Sequence, residues 1–344
     1  MFISYKQWRT LLKADSVRGY VAHDHGFIES VPFVSGGYRV KSPDLYPWHA
    51  GLYTKTTNPY KQICGGTVVS KRAIISAAHC FTLDRHIPPA SQYAVAAGKV
   101  YRPWNDPHDT TAQKSDVREI KIPPRYQGSA ANFQDDIAVV ILTKEFVIQL
   151  FVTPACVNFN PDLEEAQLRE GELGKVVGWG LTGENTPASQ VLQGAILPVV
   201  SIAKCIEQSP AGFRSSITGD KICAGYDNGT AVCRGDSGGG LVFHAKWQLL
   251  QPAFLRGVVS TSPTSENMCN IHTWATFTDV HKHERFLKSV LPDIEKSCEL
   301  PPNHNFISTR FTGANQRSQN DCCSCQCIQP YEVEYKGKIF ELDL

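Results

Sequence analysis

The chain has 344 residues, of which 42% are hydrophobic, and this is enough to bury a large core. A formal net charge of +1 gives no electrostatic reason to expect binding to nucleic acid or to an acidic membrane. Twelve cysteines are too many for an ordinary cytosolic enzyme and indicate an oxidising compartment.

The first 33 residues have mixed composition and contain no long apolar run, so they do not form a recognisable signal peptide. The sequence also contains no transmembrane segment. We therefore expect the chain to be the end of a longer secreted precursor or an incomplete gene product, with residues 1–33 as the remnant of a pro-segment or linker.

From Trp48 onward, short apolar segments alternate with Gly, Pro and Asn turns, which is typical of an all-β protein. The first six predicted strands are 48–53, 63–69, 73–76, 93–97, 117–122 and 137–142. Six more are predicted at 175–179, 193–199, 221–224, 241–243, 254–259 and 276–280. Two groups of six, joined near Thr153, predict two packed antiparallel barrels of about residues 34–152 and 153–280. Helices are expected only at 201–207 and 281–291, the second ending at Pro292.

The segment Gly235-Asp-Ser237-Gly-Gly239 is the strongest chemical signal in the sequence. Glycines allow consecutive N–H groups to converge on one point, beside which a serine hydroxyl can attack a carbonyl. Alone, such a string is more often a surface turn, so the partner residues decide its meaning.

Two catalytic architectures use a serine in this setting. In an α/β-hydrolase the acid and the histidine follow the serine, and Asp279, His281 and His283 do follow Ser237. In the other order, the histidine and the aspartate precede it. His79 directly after an apolar run and Asp136 at the start of a buried strand satisfy the second order. The cysteines and the absence of alternating strands and helices also oppose the first.

The motifs taken together resemble the chymotrypsin-type serine endopeptidases over residues 34–292, which are expected to form the protease domain. They are Cys64-Gly-Gly66, Ala77-Ala-His79-Cys80, Asp136-Ile-Ala138, Gly178-Trp-Gly180, Cys223-Ala-Gly225 and the Ser237 segment. The resemblance implies that His79 is the general base, Asp136 its orienting acid and Ser237 the nucleophile. It also implies an oxyanion hole formed by the N–H groups of Gly235 and Ser237, and a Ser260 that supports Asp136.

The same resemblance implies three disulfides: Cys64–Cys80, Cys205–Cys223 and Cys233–Cys269. A further bridge common in the family is missing at both ends, where Gly174 and Phe243 stand. Cys156 stands where the family ties the protease domain to its pro-region. We expect its partner to be in a lost upstream portion, with Cys298 or a tail cysteine as the alternative.

The substrate pocket implied by the resemblance contains Ala231, Ser260, Ser262 and Ala275. Ala231 stands at the pocket floor, where a trypsin-like enzyme has an acid that pairs with Arg or Lys. Burying a basic side chain without a partner would be costly, so we expect cleavage after Leu, Val or Phe.

Activation in this family frees an α-amino group that pairs with the aspartate before the serine, here Asp236. The segment Val34-Ser-Gly-Gly37 indicates a cut between Phe33 and Val34, with a cut one residue away as the alternative. An apolar pocket and an apolar residue before the cut would permit self-activation. This combination resembles the arthropod modular serine proteases that initiate immune cascades, whose substrates are other protease zymogens.

The segment 293–344 lies beyond the resemblance and is polar, with Cys322-Cys-Ser-Cys-Gln-Cys327 in its middle. We expect a disordered tail, extra disulfides or a translated intron here rather than a metal site, because the cysteine spacing is too tight for usual zinc pairs. His281 and His283 could also bind a metal, but at a helix start we expect them to be exposed.

The predicted function is therefore that of a secreted serine endopeptidase, without a cofactor or a metal. The implied partners are a protein or peptide substrate, such as a zymogen, and a serpin-type inhibitor, with neither nucleic acid nor membrane. The alternative is a catalytically inert homologue that acts as a binding or regulatory protein. Inert relatives usually have a substituted Ser, His or Asp, and none of the three is substituted here.

Overall fold

The computed structural model describes residues 37–82, 86–182, 186–226, 232, 235–244, 252–262 and 273–298, and the backbone of 331–335 and 338–342. The chain divides into two units, residues 1–302 and 303–344. Among the described residues, no helix is long and apolar enough to cross a membrane.

The first barrel is closed by six antiparallel strands in the order β2-β3-β4-β7-β6-β5. These are β2 His49–Thr54, β3 Lys61–Val68, β4 Ala73–Ser76, β5 Tyr93–Ala97, β6 Gln113–Lys121 and β7 Ala138–Leu142. Four of them (β2, β4, β5 and β7) read as nearly continuous buried runs, because neighbouring structure covers both faces. β6 alternates, with Ser115 and Val117 buried between exposed neighbours, as expected for a half-exposed strand.

The second barrel runs in the order β9-β10-β13-β12-β11-β8 and closes through pairing of β8 with β9. Its strands are β8 Leu173–Gly178, β9 Gln193–Val200, β10 Lys221–Ala224, β11 Gly240–His244, β12 Ala253–Thr261 and β13 Ala275–Asp279. A short strand, β1 Tyr38–Arg39, adds to β9. The predicted all-β fold of two six-stranded barrels is thus confirmed, and the doubly wound sheet of an α/β-hydrolase is excluded.

One apolar cluster connects the two barrels. It includes Ile75 and Val139 from β4 and β7 together with Val177 and Leu255 from β8 and β12. Because burial of apolar area is the main favourable term in folding, this shared core holds the facing ends of the barrels together. His79 and Asp136 lie beside this cluster, since Ala77 and Ile137 belong to it.

In the described part of the chain, three α-helices flank the barrels: α1 Pro161–Gln167, α2 Ile202–Gln208 and α3 Glu284–Val290. The predicted segment 281–291 begins as a 3₁₀ turn, His281–His283, and continues as α3. α1 was not predicted. Its signal is Asn160, whose side chain accepts hydrogen bonds from the N–H groups of Asp162 and Leu163, followed by a proline at the first helical position.

Two disulfides join Cys64 to Cys80 and Cys205 to Cys223, the pairs that the resemblance implies. The preferred expectation for Cys156 is wrong, because this cysteine is paired with Cys298. The segment after α3 folds back as a 3₁₀ turn, Ile294–Cys298, and brings Cys298 to Cys156. Cys233 and Cys269 lie outside the described residues.

The missing family bridge is replaced by packing. A Cβ atom on Gly174 would lie 2.6 Å from the Leu241 side chain and 2.8 Å from the ring of Phe243, so these two side chains occupy the space where a side chain at 174 would be. Close packing of Leu241 and Phe243 on Gly174 therefore takes the place of the bridge.

The unit 303–344 contains an antiparallel hairpin, β14 Tyr331–Tyr335 with β15 Lys338–Leu342. The sequence analysis expects a disordered tail here, whereas the structure has two paired strands in this segment. Its apolar and polar residues alternate with the period of two that a strand requires, for example in Tyr331-Glu-Val-Glu-Tyr335. The cysteine cluster 322–327 lies outside the described residues.

Candidate active site

His79 is carried by a 3₁₀ turn, Ala78–Phe81, directly after the buried strand β4. The next residue, Cys80, is joined by its disulfide to Cys64 in β3. The turn is therefore fixed at both sides, and the His79 side chain remains 22% exposed at the junction of the barrels.

Asp136 is completely buried just before β7 and contacts His79 twice. Its Oδ1 accepts a hydrogen bond from the His79 backbone N–H at 2.9 Å, and its Oδ2 lies 2.8 Å from His79 Nδ1. Ser260 at the end of β12 donates its hydroxyl to the same Oδ2 at 2.6 Å. The second barrel thus supplies one of the three hydrogen bonds that fix the carboxylate.

The electrostatics of this pair follow from burial and mutual charge. Burial alone would lower the pKa of His79, but the charge and hydrogen bond of Asp136 outweigh it and raise this pKa above its ordinary value. Burial alone would likewise raise the pKa of Asp136, but His79 and Ser260 hold it below its ordinary value. Asp136 therefore stays ionised, and the Nδ1 atom of His79 keeps its proton, which leaves Nε2 to accept one.

Ser237 lies in a turn between β10 and β11 that requires glycine. Gly235 and Gly238 have φ angles of 107° and 78°, which side chains rarely adopt. A Cβ atom on Gly238 would collide with the hydroxyl of Ser76 at the end of β4, three residues before His79. The Ser237 carbonyl accepts a hydrogen bond of 2.8 Å from Gly65 in β3, so the turn is held against the segment that carries His79.

Asp236 explains the motif Gly178-Trp-Gly180. Its side chain is buried, and its Oδ1 accepts a hydrogen bond of 2.8 Å from the Gly180 N–H. A Cβ atom on either Gly178 or Gly180 would overlap the Asp236 carboxylate. Only glycine at both positions leaves room for this carboxylate beside the Ser237 turn.

Of the predicted pocket residues, Ser260, Ser262 and Ala275 are described. Ser260 points to Asp136 as stated above, Ser262 follows β12 and is partly exposed, and Ala275 is buried in β13 opposite Ala224. Ala231, at the predicted pocket floor, lies outside the described residues. So do Phe33 and Val34, the predicted activation residues.

A cleft of about 790 Å³ opens beside His79 and was not predicted. It lies between the segment after His79 and the loop that precedes Asp136, and its walls are mixed polar and apolar. The apolar lining residues include Ile87, Ile122, Pro123, Pro124, Tyr126 and Phe133. The prolines at 123 and 124 were the available signal, because paired prolines end a strand and begin an exposed loop.

Comparison with known proteins decides the family. The sequence matches the trypsin family over residues 34–286, which is most of the chain. The chain belongs to the trypsin family. The sequence motifs of this family contain His79, Asp136 and Ser237. In the structure, His79 contacts Asp136, and the Ser237 turn is bonded to Gly65 of the same barrel.

The relatives of this trypsin-family chain include arthropod clotting and modular proteases. Clotting factor C of Tachypleus tridentatus is 34% identical over 235 residues, which cover 67% of this chain and 22% of the relative. The modular serine protease of Drosophila melanogaster is 29% identical over 270 residues, covering 75% of this chain and 40% of the relative. Coagulation factor IX of Oryctolagus cuniculus is 28% identical over 259 residues, covering 75% of this chain and 85% of the relative.

The predicted resemblance to arthropod modular serine proteases is confirmed by these relatives. The chain spans less than half the length of the two arthropod relatives.

Proposed function

We propose that this chain is a secreted serine endopeptidase in which Ser237 is the nucleophile, His79 the general base and Asp136 the orienting acid. The observation that carries the proposal is the Asp136 carboxylate, which is held by His79 and Ser260 while completely buried. A buried aspartate at this place has the role of fixing the imidazole tautomer and stabilising the imidazolium that forms.

In the proposed reaction, Nε2 of His79 takes the hydroxyl proton of Ser237 as the serine attacks the substrate carbonyl. The N–H groups of Gly235 and Ser237 stabilise the oxyanion, and His79 returns the proton to the leaving amine. The resulting acyl-enzyme is hydrolysed by water through the same steps. The positive φ of Gly235 supports the oxyanion assignment, since it allows the backbone of the turn to point its N–H groups inward.

The proposed specificity is for an apolar residue before the cleaved bond. Ala231 provides no carboxylate for a basic side chain, and the Cβ atoms of Ser262 and Ala275 narrow the pocket relative to glycine. The cleft beside His79 adds to this site, because its apolar side chains, such as Ile87 and Ile122, offer contact to the residues upstream of the cut.

The proposed activation is a cut between Phe33 and Val34, after which the new amino group of Val34 pairs with Asp236. The burial of Asp236 against Gly180 supports this role, because a buried carboxylate gains most from a cationic partner. Since Phe33 is itself apolar, the enzyme could cleave its own activation site.

The proposed setting is an extracellular cascade with a protease zymogen as substrate and a serpin-type inhibitor as regulator. The relatives named as clotting factors and as a modular serine protease support this setting. Two disulfides within the barrels and a third from Cys156 agree with an oxidising compartment.

The test is covalent labelling of the full chain, processed before Val34, with a fluorophosphonate reagent. We expect one label per molecule on Ser237, no label in Ser237→Ala and labelling slowed by several orders of magnitude in His79→Ala. Labelling of the folded wild type at the rate of Ser237→Ala would contradict the proposal and favour the inert homologue.

A further inference from the structure

A buried cluster of charged side chains lies directly behind the proposed catalytic acid. Each of its four members is less than one tenth exposed. Asp135 lies in the loop before β7, and His283 lies in the turn before α3. Asp220 and Lys221 lie at the start of β10. The expectation that His283 is exposed is therefore wrong, because the 3₁₀ turn directs its ring into the junction between the barrels.

His283 makes hydrogen-bond contacts through both ring nitrogens. Its Nδ1 lies 2.7 Å from the carbonyl oxygen of Asp279, which can only accept. Its Nε2 lies 3.2 Å from Asp135 Oδ1 and 3.6 Å from Asp220 Oδ2. The ring therefore joins the turn before α3 to carboxyl groups from two other segments.

The loop that these groups hold has an unusual backbone. Asn132, Phe133 and Asp135 have φ angles of 53°, 57° and 58°, in the left-handed region that residues other than glycine seldom adopt. Such a conformation persists only where the surrounding structure imposes it. The Asp135 N–H donates to Asp220 at 2.8 Å, and the Lys221 ammonium donates to the Phe133 carbonyl at 2.7 Å.

Both held residues touch the proposed catalytic pair. Asp135 is the residue directly before Asp136, so its conformation sets where the Asp136 side chain begins. The ring of Phe133 lies edge-on to the imidazole of His79, with 6.3 Å between ring centres. A displacement of this loop would therefore change both the position of Asp136 and the surroundings of His79.

We propose that Asp220, Lys221 and His283 are positioning residues: they fix the loop 132–135 and thereby align Asp136 with His79. The proposal rests on the proposed function, in which this pair carries out the proton transfers. The three residues come from the second barrel and the turn that follows it, so their contacts make the geometry of the first-barrel pair depend on how the two barrels meet. We call these three residues the inter-barrel clamp.

A divalent metal could in principle occupy the space among Asp135, Asp220 and His283. However, the ammonium of Lys221 already lies 3.4 Å from Asp220 Oδ2, and its side chain is fully buried. A divalent cation bound there would lie close to this ammonium and would be repelled strongly, because the effective dielectric constant is low in a buried site. The guanidinium of Arg125 also lies 3.3 Å from Asp135 Oδ1, so each carboxyl group of the cluster already has a cationic partner.

The first experiment compares Asp220→Asn and His283→Gln with the wild type, processed before Val34, in peptide cleavage. We expect kcat per titrated active site to fall about 10- to 100-fold, because small misplacements of catalytic groups have effects of this size. KM is measured alongside, because Phe133 of the held loop lines the cleft beside His79, and the proposal requires that kcat falls by a larger factor than KM rises.

The matched control is Lys99→Met, which breaks another buried ion pair, with Asp109, in the first barrel. We expect it to lower the melting temperature as the clamp variants do but to leave kcat unchanged. Equal kcat in the wild type, the control and both clamp variants would overturn the proposal, since loss of stability alone would then be the whole effect.

The second experiment does not need activity. In the wild type, NMR should show a strongly downfield resonance for the His79 Nδ1 proton shared with Asp136, and this resonance should shift or broaden in Asp220→Asn but not in Lys99→Met. An inactive wild type with this pattern would defeat the proposed function while supporting the alignment of the pair. An unchanged resonance in folded Asp220→Asn, or stoichiometric zinc binding that His283→Gln abolishes, would overturn the proposal.

Discussion

His79 and Asp136 are joined by two hydrogen bonds, one from the backbone N–H and one from the ring, to the two oxygens of a single buried carboxylate. The carboxylate can therefore neither rotate nor leave the ring without losing both bonds. This relationship fixes the orientation of the imidazole, on which the proposed chemistry depends.

Replacing Asp136 with Asn tests this relationship. We expect kcat to fall by about four orders of magnitude, because the amide no longer favours the required tautomer. In the wild type, the acid limb of kcat/KM against pH should lie above the ordinary histidine pKa of about 6.5, since the pKa of His79 is raised. Without the Asp136 charge, burial dominates and lowers this pKa, so the acid limb should move to lower pH.

The measurement is kcat/KM from pH 4 to 9, with Asp106→Asn, in the loop between β5 and β6, as a control that should match the wild type. An acid limb at the same pH in the wild type and in Asp136→Asn would show that Asp136 does not raise the pKa of His79.

Replacing Gly178 with Ala tests the role of the Asp236 carboxylate. The new Cβ atom would overlap this carboxylate and push the turn that carries Gly235 and Ser237. Because loss of an oxyanion donor reduces kcat by about 100- to 1000-fold, we expect a decrease of this size in peptide cleavage. Gly212→Ala is the control, since a Cβ atom there meets nothing within 4 Å. Normal kcat in folded Gly178→Ala would show that the turn accommodates the displacement.

Replacing Asp279 with Asn should stabilise the protein at neutral pH. Burial, with the nearby charge of Glu164, raises the pKa of Asp279 to about 6. The folded state therefore holds a proton that the unfolded state releases, so the free energy of unfolding should fall as pH rises from about 4 to 6. Above this window the ionised carboxylate costs up to about 3 kcal/mol, which Asn avoids.

The measurement is urea unfolding from pH 4 to 8, with the exposed Asp293→Asn as the control. If the unfolding free energy changed by the same amount between pH 4 and 6 in the wild type and in Asp279→Asn, the raised pKa would not belong to Asp279. The Asn amide oxygen can keep the hydrogen bond from the His281 N–H, so the variant tests the charge rather than the contact.

Much of the fold could be predicted because its strands are short apolar runs separated by turn residues. β4, β5 and β10 begin and end at the predicted residues, since each is a buried run with clear neighbours. α1 was missed because its seven residues include only one large apolar side chain, Leu163, and no periodic pattern can be read from one residue. Only its cap was visible.

The candidate site was predictable where a residue type is required locally, and not where distant segments meet. Glycines at 178, 180, 235 and 238 are forced by close approach or positive φ, so they appear as motifs. The inter-barrel clamp joins Asp135 to His283, which are 148 positions apart, and neither has a local pattern that distinguishes it from an exposed residue. The pairing of Cys156 with Cys298, 142 positions away, was uncertain for the same reason.

The central claim is most directly tested by a peptide-library cleavage profile of the chain processed before Val34, with Ser237→Ala as the control. The account predicts cleavage after Leu, Phe or Val that is abolished in the control. Cleavage after Arg or Lys would contradict the assignment of Ala231 to the pocket floor. Activity equal to that of Ser237→Ala would contradict the account as a whole.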